Sequence, residues 1–343
     1  MKLNLSVVEG KLLNPLQLLK SLFLLAKNKD ADLKLILDDA PALEFVTVFN
    51  ENFLNFLEIF CKENKINKKR IVLFSGNLIQ DMSVWPTIKR IAGLNPLLHG
   101  QNISYTVNKT FEKKVGIFIG RCSWSRLYLS SYVYEQFPGD SLISFWQNHF
   151  DPSQPASLCI DEVLLKTQND ARCLTRISKF CEKLPMHLAD RDRSINKNTG
   201  TISYFNAYEL VEYYNKIFLE VICETMHNEN TFYLTEKISR CLITKTPFLL
   251  YGPVEYLKNL QIMGFKTFNH FWNEDYDKFR EYKRIEKIKG ILIKIKKYDL
   301  KEIKKMYNSM QDILDHNEKV YKSLSREQIA KMFNCTVREN NDL

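Results

Sequence analysis

The apolar positions of this chain come in short blocks whose spacing alternates between continuous runs and a helical period. "LKLILDD" (33 to 39) and "RIVLFSGN" (70 to 77) are brief apolar runs that stop at polar residues or glycine, as buried strands do. Between them, "FVTVFNENFLNFLEIFCKEN" places Phe49, Phe53, Phe56, Leu57 and Phe60 at helical spacing. Strand, helix and strand in that order predict a parallel sheet. "ISYTV" (103 to 107) reads as a third strand ahead of the polar, basic "NKTFEKK". At the start, Lys11 and Lys20 interrupt a leucine-rich stretch, so no uncharged run approaches the roughly 20 residues of a membrane span. Asn14 and Pro15 read instead as the cap and first position of an amphipathic helix.

The pattern then restarts. "KKVGIFIGRCSWSRLYLSSYVYEQF" gives a strand over 115 to 119, a Gly-Arg turn and a helix beginning near Trp124, and "DSLISFW" reads as another strand. Between 151 and 206 Pro, Ser and Asn accumulate, and "ADRDRSINKNTGTIS" predicts a long exposed loop. A helix over 207 to 216 follows, then a strand "IFLEVICE" (217 to 224), the loop "TMHNENTF", a helix through "TEKISRCLITK", a strand "PFLLYG" and a helix "VEYLKNLQIMG". The expected fold class is α/β, with lobes at 1–111 and 112–284 and basic C-terminal helices over 285–343.

Composition narrows the class. A chain of 343 residues, 45% hydrophobic and 26% charged, has the balance of a globular protein with room for two domains. Its eight cysteines include no C-x-x-C pair and its six histidines no H-E-x-x-H spacing, which predicts a reduced, cytoplasmic protein without a metal or other cofactor. The net charge of +9 is concentrated: Lys278 to Lys305 holds twelve Lys/Arg against four Asp/Glu, or +8. Within that segment Ile285, Ile288, Leu292 and Ile295 form one helical stripe. A second helix is expected from Asp299, with Glu302 as its capping partner and Leu300, Ile303, Tyr307, Met310 and Leu314 on its apolar side. Such a basic surface suits nucleic acid, an anionic membrane, a phosphorylated ligand or plain solvent. The chain carries no zinc finger, RNP aromatic pair or basic zipper, so nucleic acid is not the expected partner.

The stretch "TFYLTEKISRCLITKTPFLLYGP" (231 to 253) carries the candidate chemistry. In an open parallel sheet, ligands bind beyond the carboxyl ends of strands, where helix N-termini point free N–H groups. Glu224 ends one strand, Thr235, Glu236 and Lys237 open the next helix, and Gly252 ends the next strand. For a sugar nucleotide, Lys237 would meet the departing diphosphate, Glu236 or Glu224 would accept from hydroxyls, and Arg240 lies one turn from Lys237. Arg121 and Arg126 form a second cationic pair suited to bidentate phosphate contact. The same residues also suit a plain helix start, with Thr235 as cap, Glu236 favourable to the dipole and two solvated cations.

"ICETMHNENTFYLTEKISRCLITKTPFLLYG" resembles the donor-site signature of α1,3-fucosyltransferases, in which a strand ending in Glu precedes a Thr-Glu-Lys helix start and a Pro-containing strand ending in Gly. "KKVGIFIGRCSWSRLYLSSYVYEQF" is similar to the strand and Arg-bearing helix that open the donor domain of that family. Residues 115 to 277, with "GFKTF" and "NEDYD", resemble more closely a set of poorly characterised glycosyltransferase-like proteins from bacteria and large viruses. The resemblance covers about half of the chain. It implies two Rossmann-like lobes in a GT-B arrangement and inverting, metal-independent transfer from a nucleotide-diphosphate sugar, with GDP-fucose the family's donor. The acceptor would be a glycan, a lipid-linked oligosaccharide or another hydroxyl. It marks Glu224, Glu236, Lys237 and Arg126 as donor contacts, and Thr235, Arg121 and Arg240 beside them. Where the family has Glu-Asn-Ser, this chain has Glu224-Thr225-Met226, so neither fucose nor guanosine follows. Asp39 and Glu44, after the first predicted strand, are the carboxylates expected to deprotonate the acceptor. The alternatives from other classes are a sugar-nucleotide binder without turnover and a nucleic-acid or structural protein using the basic helices. A membrane-borne acceptor would bring the basic segment peripherally to an anionic inner membrane face.

Overall fold

The structure, a computed structural model, describes the chain except for residues 6, 9–10, 38–42, 93–100, 102–104, 121, 146–155, 168–169, 187, 189–203, 225–226, 228–229 and 338–343. In chain order the strands are β1 (Lys2–Asn4), β2 (Val7–Val8), β3 (Lys11–Leu12), β4 (Leu33–Leu37), β5 (Thr47–Val48), β6 (Glu51–Asn52), β7 (Ile71–Ser75), β8 (Ile88–Ala92), β9 (Lys113–Ile119), β10 (Ser141–Phe145), β11 (Ile217–Cys223), β12 (Phe248–Tyr251) and β13 (Thr336–Val337). The helices are α1 (Pro15–Lys27), α2 (Phe53–Glu63), α3 (Trp124–Gln136), α4 (Ala156–Lys166), α5 (Ala171–Cys181), α6 (Glu236–Ile243), α7 (Tyr256–Ile262), α8 (Glu281–Lys297), α9 (Leu300–Ser309), α10 (Gln311–Ser323) and α11 (Arg326–Met332). The chain is an α/β protein with parallel sheets and forms two compact units. The first holds Met1–Asn95, Thr225–Leu234 and Leu324–Leu343; the second holds Pro96–Glu224 and Thr235–Ser323.

In the first unit, β1, β4, β7, β8 and β13 lie in that order, parallel throughout. β4 and β7 are mostly apolar because helices cover such a sheet, and α1 and α2 supply Leu18, Leu22, Leu25, Phe53, Leu57 and Phe60 to its core. Asn14 does precede α1 with Pro15 at its first turn, but the Asn14 side chain makes no capping bond. The other end of α1 is closed by Arg70, whose guanidinium donates to the Leu25 carbonyl at 3.2 Å and the Ala31 carbonyl at 2.6 Å. Residues 225–234 join this unit through Asn77: its Oδ1 accepts from the Phe232 N–H at 2.9 Å and its Nδ2 donates to the Asn230 carbonyl at 3.1 Å.

In the second unit the order is β10, β9, β11, β12, again parallel. The chain adds strands first on one side of β9 and then on the other, so its direction of winding switches between β9 and β11. All seven residues of β11 are buried, and α3 is buried from Trp124 through Val133. α8 turns Ile285, Ile288, Ile291, Leu292 and Ile295 inward, which matches the expected stripe and adds Ile291. α9 opens with the Asp299–Glu302 capping box; Ile303, Tyr307, Met310 and Leu314 are buried, whereas Leu300, at the first helical position, is exposed.

Three expectations need correction. Residues 105–107 form no strand, because the following segment is held by the turn at Asn215: Asn108 N–H donates to Asn215 Oδ1 at 2.9 Å and Thr110 N–H to the Asn215 carbonyl at 2.8 Å. The predicted helix over 207 to 216 is a 3-10 run, Tyr204–Asn215. α4 and α5 occupy part of the stretch that read as irregular, and α5 escaped notice because its buried face, Cys173, Arg176, Ile177 and Phe180, contains an arginine. That guanidinium is buried by stacking on Tyr128 and Tyr132, 4.5 and 5.5 Å from the ring centroids. The loop expected at 189–203 lies outside the described residues.

Candidate functional site

The site is built where β11 ends and α6 begins. β11 continues its pairing one residue past its last strand position, with the Glu224 N–H donating to the Tyr251 carbonyl at 2.8 Å. That bond fixes the Glu224 backbone at the carboxyl edge of the sheet, and its side chain is buried. Gly252 stands beside it: a Cβ there would lie 2.7 Å from a Leu250 methyl, so glycine leaves room for the Leu250 side chain, and at 3.5 Å from Glu224 Cγ it would be in ordinary contact with the carboxylate stem.

The chain leaves the second unit after Glu224 and re-enters it at Thr235, the cap of α6. Thr235 Oγ1 accepts from the Lys237 N–H at 3.3 Å and donates to Glu224 Oε1 at 2.6 Å. Lys237 Nζ donates to Glu224 Oε2 at 3.4 Å and to Glu236 Oε1 at 3.1 Å. Glu224 thus holds both the cap and the lysine of the triplet. Burial opposes ionisation of Glu236, but Lys237 and Arg240 beside it, with a backbone N–H, bring its carboxyl down to about 2. Glu236 and Lys237 keep 19% and 14% of their side-chain surface exposed.

Two further donor-site candidates, Arg126 and Arg240, are buried beside this face. Arg126, on α3, donates from Nη2 to the Cys223 carbonyl at 3.0 Å, bridging to the end of β11 near the point where winding switches. Arg240 is buried, with Nη2 3.7 Å from Glu220 Oε1 and its guanidinium 5.9 Å from the centre of the Tyr214 ring. Burial works against the Arg240 charge, yet Tyr214, Glu220 and Glu236 hold it firmly protonated. Arg240, a donor-site candidate that the plain helix-start reading left solvated, is therefore an interior group. Arg121 and Asp39 lie outside the described residues. Glu44 lies in the first unit, on the short 3-10 turn Leu43–Phe45, where its Oε2 accepts from Gln80 Nε2 at 2.9 Å.

Two groups escaped the sequence reading. Glu220, in the middle of β11, accepts from Tyr214 Oη at 2.6 Å and Cys241 Sγ at 3.0 Å, and burial raises its pKa against the pull of Arg240. The signal available was a lone acid inside an otherwise apolar strand, "IFLEVIC", which demands buried partners. Lys109 donates to the Tyr214 carbonyl at 2.6 Å and Thr246 Oγ1 at 2.5 Å, and burial brings its amine down to about 7. Burial pushes the Cys223 thiol, next to Glu224, up to about 12, which favours its protonated form. Among the described residues, no group of three or more His, Cys, Asp or Glu side chains is placed to hold a metal ion.

The arrangement offers one partly exposed cation at a helix N-terminus, two carboxylates that hold it, and buried arginines beside them. Lys237 can approach an anionic group by leaving either carboxylate. A scan against protein-family models finds no match for this chain, and a search of curated proteins finds none either.

Proposed function

We propose that this chain is a glycosyltransferase of GT-B type, with two Rossmann-like lobes, and that the edge of β11 and α6 binds a nucleoside-diphosphate sugar. One observation carries the reading: the triplet Thr235-Glu236-Lys237 opens a helix at the carboxyl end of a parallel strand, with Lys237 held in reach by Glu224. A helix start of this kind offers an anion both amide donors and the favourable end of the dipole. The α1,3-fucosyltransferase resemblance of the same residues supports it, and supplies the inverting, metal-independent course.

In the proposed reaction the acceptor hydroxyl gives its proton to a carboxylate base as its oxygen attacks the anomeric carbon from the face opposite the diphosphate. The bond from that carbon to the phosphate oxygen breaks, and the nucleoside diphosphate leaves with the electron pair. Lys237 and the first-turn amides of α6 meet the charge that develops on the leaving group. Glu224 orients Lys237, and Arg126 fixes the strand end on which Glu224 stands. Metals are not required in this scheme, so EDTA leaves turnover intact.

The test is donor hydrolysis across a panel of nucleotide sugars, run beside thermal shifts with nucleoside diphosphates and with single-stranded and duplex DNA. Stabilisation by diphosphates of one base, with slow hydrolysis of its sugar conjugate, supports the transferase. Stabilisation without hydrolysis in the presence of any acceptor class points to a binder without turnover. Stabilisation by DNA alone, or by none of these ligands, refutes the assignment.

A further inference from the structure

Helix α1 is apolar on two sides. Leu18, Leu22 and Leu25 are buried in the core of the first unit, while Leu16, Phe23 and Leu24 are exposed, Leu16 by 69% and Leu24 by 57%, with Leu13 exposed just ahead of the helix. Positions 16, 20, 23, 24 and 27 share one face of a helix of 3.6 residues per turn. The exposed Lys20 and Lys27 therefore lie in the same stripe as the exposed apolar side chains. A surface helix normally turns charge outward, and one that is apolar all round is normally covered.

We propose that this outer face of α1 docks peripherally on an anionic lipid bilayer. The occupant follows from the charge pattern. α1 contains two lysines and no acidic residue; Asp30 and Asp32 follow only after the helix ends. An isologous contact with a second copy would press each Lys20 against a helix that offers it no carboxylate. A bilayer surface satisfies both halves of the stripe. Its acyl boundary takes Leu16, Phe23 and Leu24, and its anionic headgroups take the lysine ends, whose methylene stems extend along the apolar surface.

Thirteen residues make a helix of roughly 20 Å, too short to span, and the opposite face is committed to the core, so α1 lies in the plane of the interface. The basic segment 278 to 305 lacks this character, because the stripe of α8 is turned inward. Bilayer docking is independent of the chemistry proposed for the second unit.

The test is flotation of the full chain with phosphatidylcholine vesicles, with and without phosphatidylserine. Wild type should float with the phosphatidylserine vesicles, and Leu16→Ser/Phe23→Ser/Leu24→Ser should lower that affinity at least about tenfold, since three apolar side chains no longer leave water. Lys20→Glu/Lys27→Glu should weaken it as well. Phe23 also packs edge-to-face on Phe60 at 5.3 Å, so Leu16→Ser/Leu24→Ser, which leaves that contact alone, should lower binding too while thermal melts keep it and the lysine variant close to wild type. Four results would each overturn the proposal: wild type that floats with neither vesicle, equal flotation with both, a triple variant that binds as tightly as wild type, or a wild-type dimer in light scattering that the triple variant converts to monomer.

Discussion

Two charged clusters stand by the carboxyl edge of the same sheet in the second unit, and they are built in opposite ways. Arg284 is wholly buried: it donates to Asp277 Oδ1 at 2.7 Å and to the Pro253 carbonyl at 2.7 Å, and Asp277 Oδ2 in turn accepts from the Leu257 N–H at 3.0 Å. Cation and anion are each tied to the backbone, so the pair fastens the start of α7 and the end of β12 to α8. Lys237 has two carboxylate partners at longer range, bonds to no backbone carbonyl among the described residues, and keeps part of its surface in solvent. A charge bonded to backbone on all sides is architecture, whereas one shared between side chains at the surface can be redirected to a ligand.

The largest expected effect tests the first half of that contrast. Arg284→Met should cost about 3–5 kcal/mol in denaturant unfolding, because Asp277 is left buried without its cation. Adding Asp277→Asn should recover part of the loss. A single variant as stable as wild type would place the pair among ordinary surface bridges.

Acid should act next, through Glu236. Its carboxyl sits at about 2 in the folded chain against an ordinary 4.5, so between those values the unfolded chain binds more protons. The stability this carboxylate contributes is present above pH 4.5 and is lost as pH falls through 2. Denaturation followed over that window should show a shallower decline in Glu236→Gln than in wild type; parallel curves would mean that Lys237 and Arg240 do not hold this charge.

Thr235→Ala removes both the cap of α6 and the hydroxyl that Glu224 accepts from, and should cost about 1–2 kcal/mol, with Thr235→Ser close to wild type. Lys237→Ala should cost a similar amount, about 1–2 kcal/mol and less than Arg284→Met, because the buried Glu224 carboxylate loses its cation but keeps the Thr235 hydroxyl. The same variant should weaken nucleoside-diphosphate binding at least about tenfold, measured by calorimetry. Large destabilisation with unchanged ligand affinity would move Lys237 into the class of Arg284 and erase the contrast.

Much of the second unit was legible because its elements advertise themselves. β9, β11 and β12 are apolar runs broken by glycine or polar residues, and Thr235 precedes a helix whose apolar positions keep helical spacing. The position of the triplet at a strand-to-helix turn needed no tertiary information. The fate of each charge did. Arg240 read as a member of the same cation cluster as Lys237, yet Glu220 and Tyr214 hold it inside, and nothing local distinguishes an arginine that faces a ligand or water from one that faces a buried glutamate. Arg176 shows the converse, since an arginine within the buried stripe of α5 disguised a helix.

The amino-acid order by itself determined the main strands β4, β7, β9, β11 and β12 with helices α1, α2, α3 and α6, where α6 and α9 are capped, and that the stripe of α8 is buried, because these depend on neighbours within a few residues. Only the tertiary structure decided that strands β10, β9, β11 and β12 lie side by side in that order, that residues 225–234 and 324–337 belong with the first unit, and that Glu224 grips Thr235 and Lys237. It also decided which of the two apolar faces of α1 meets the core. Periodicity is written along the chain, but burial and ion pairing arise between segments far apart in sequence, and their energies depend on distances that only the folded chain supplies.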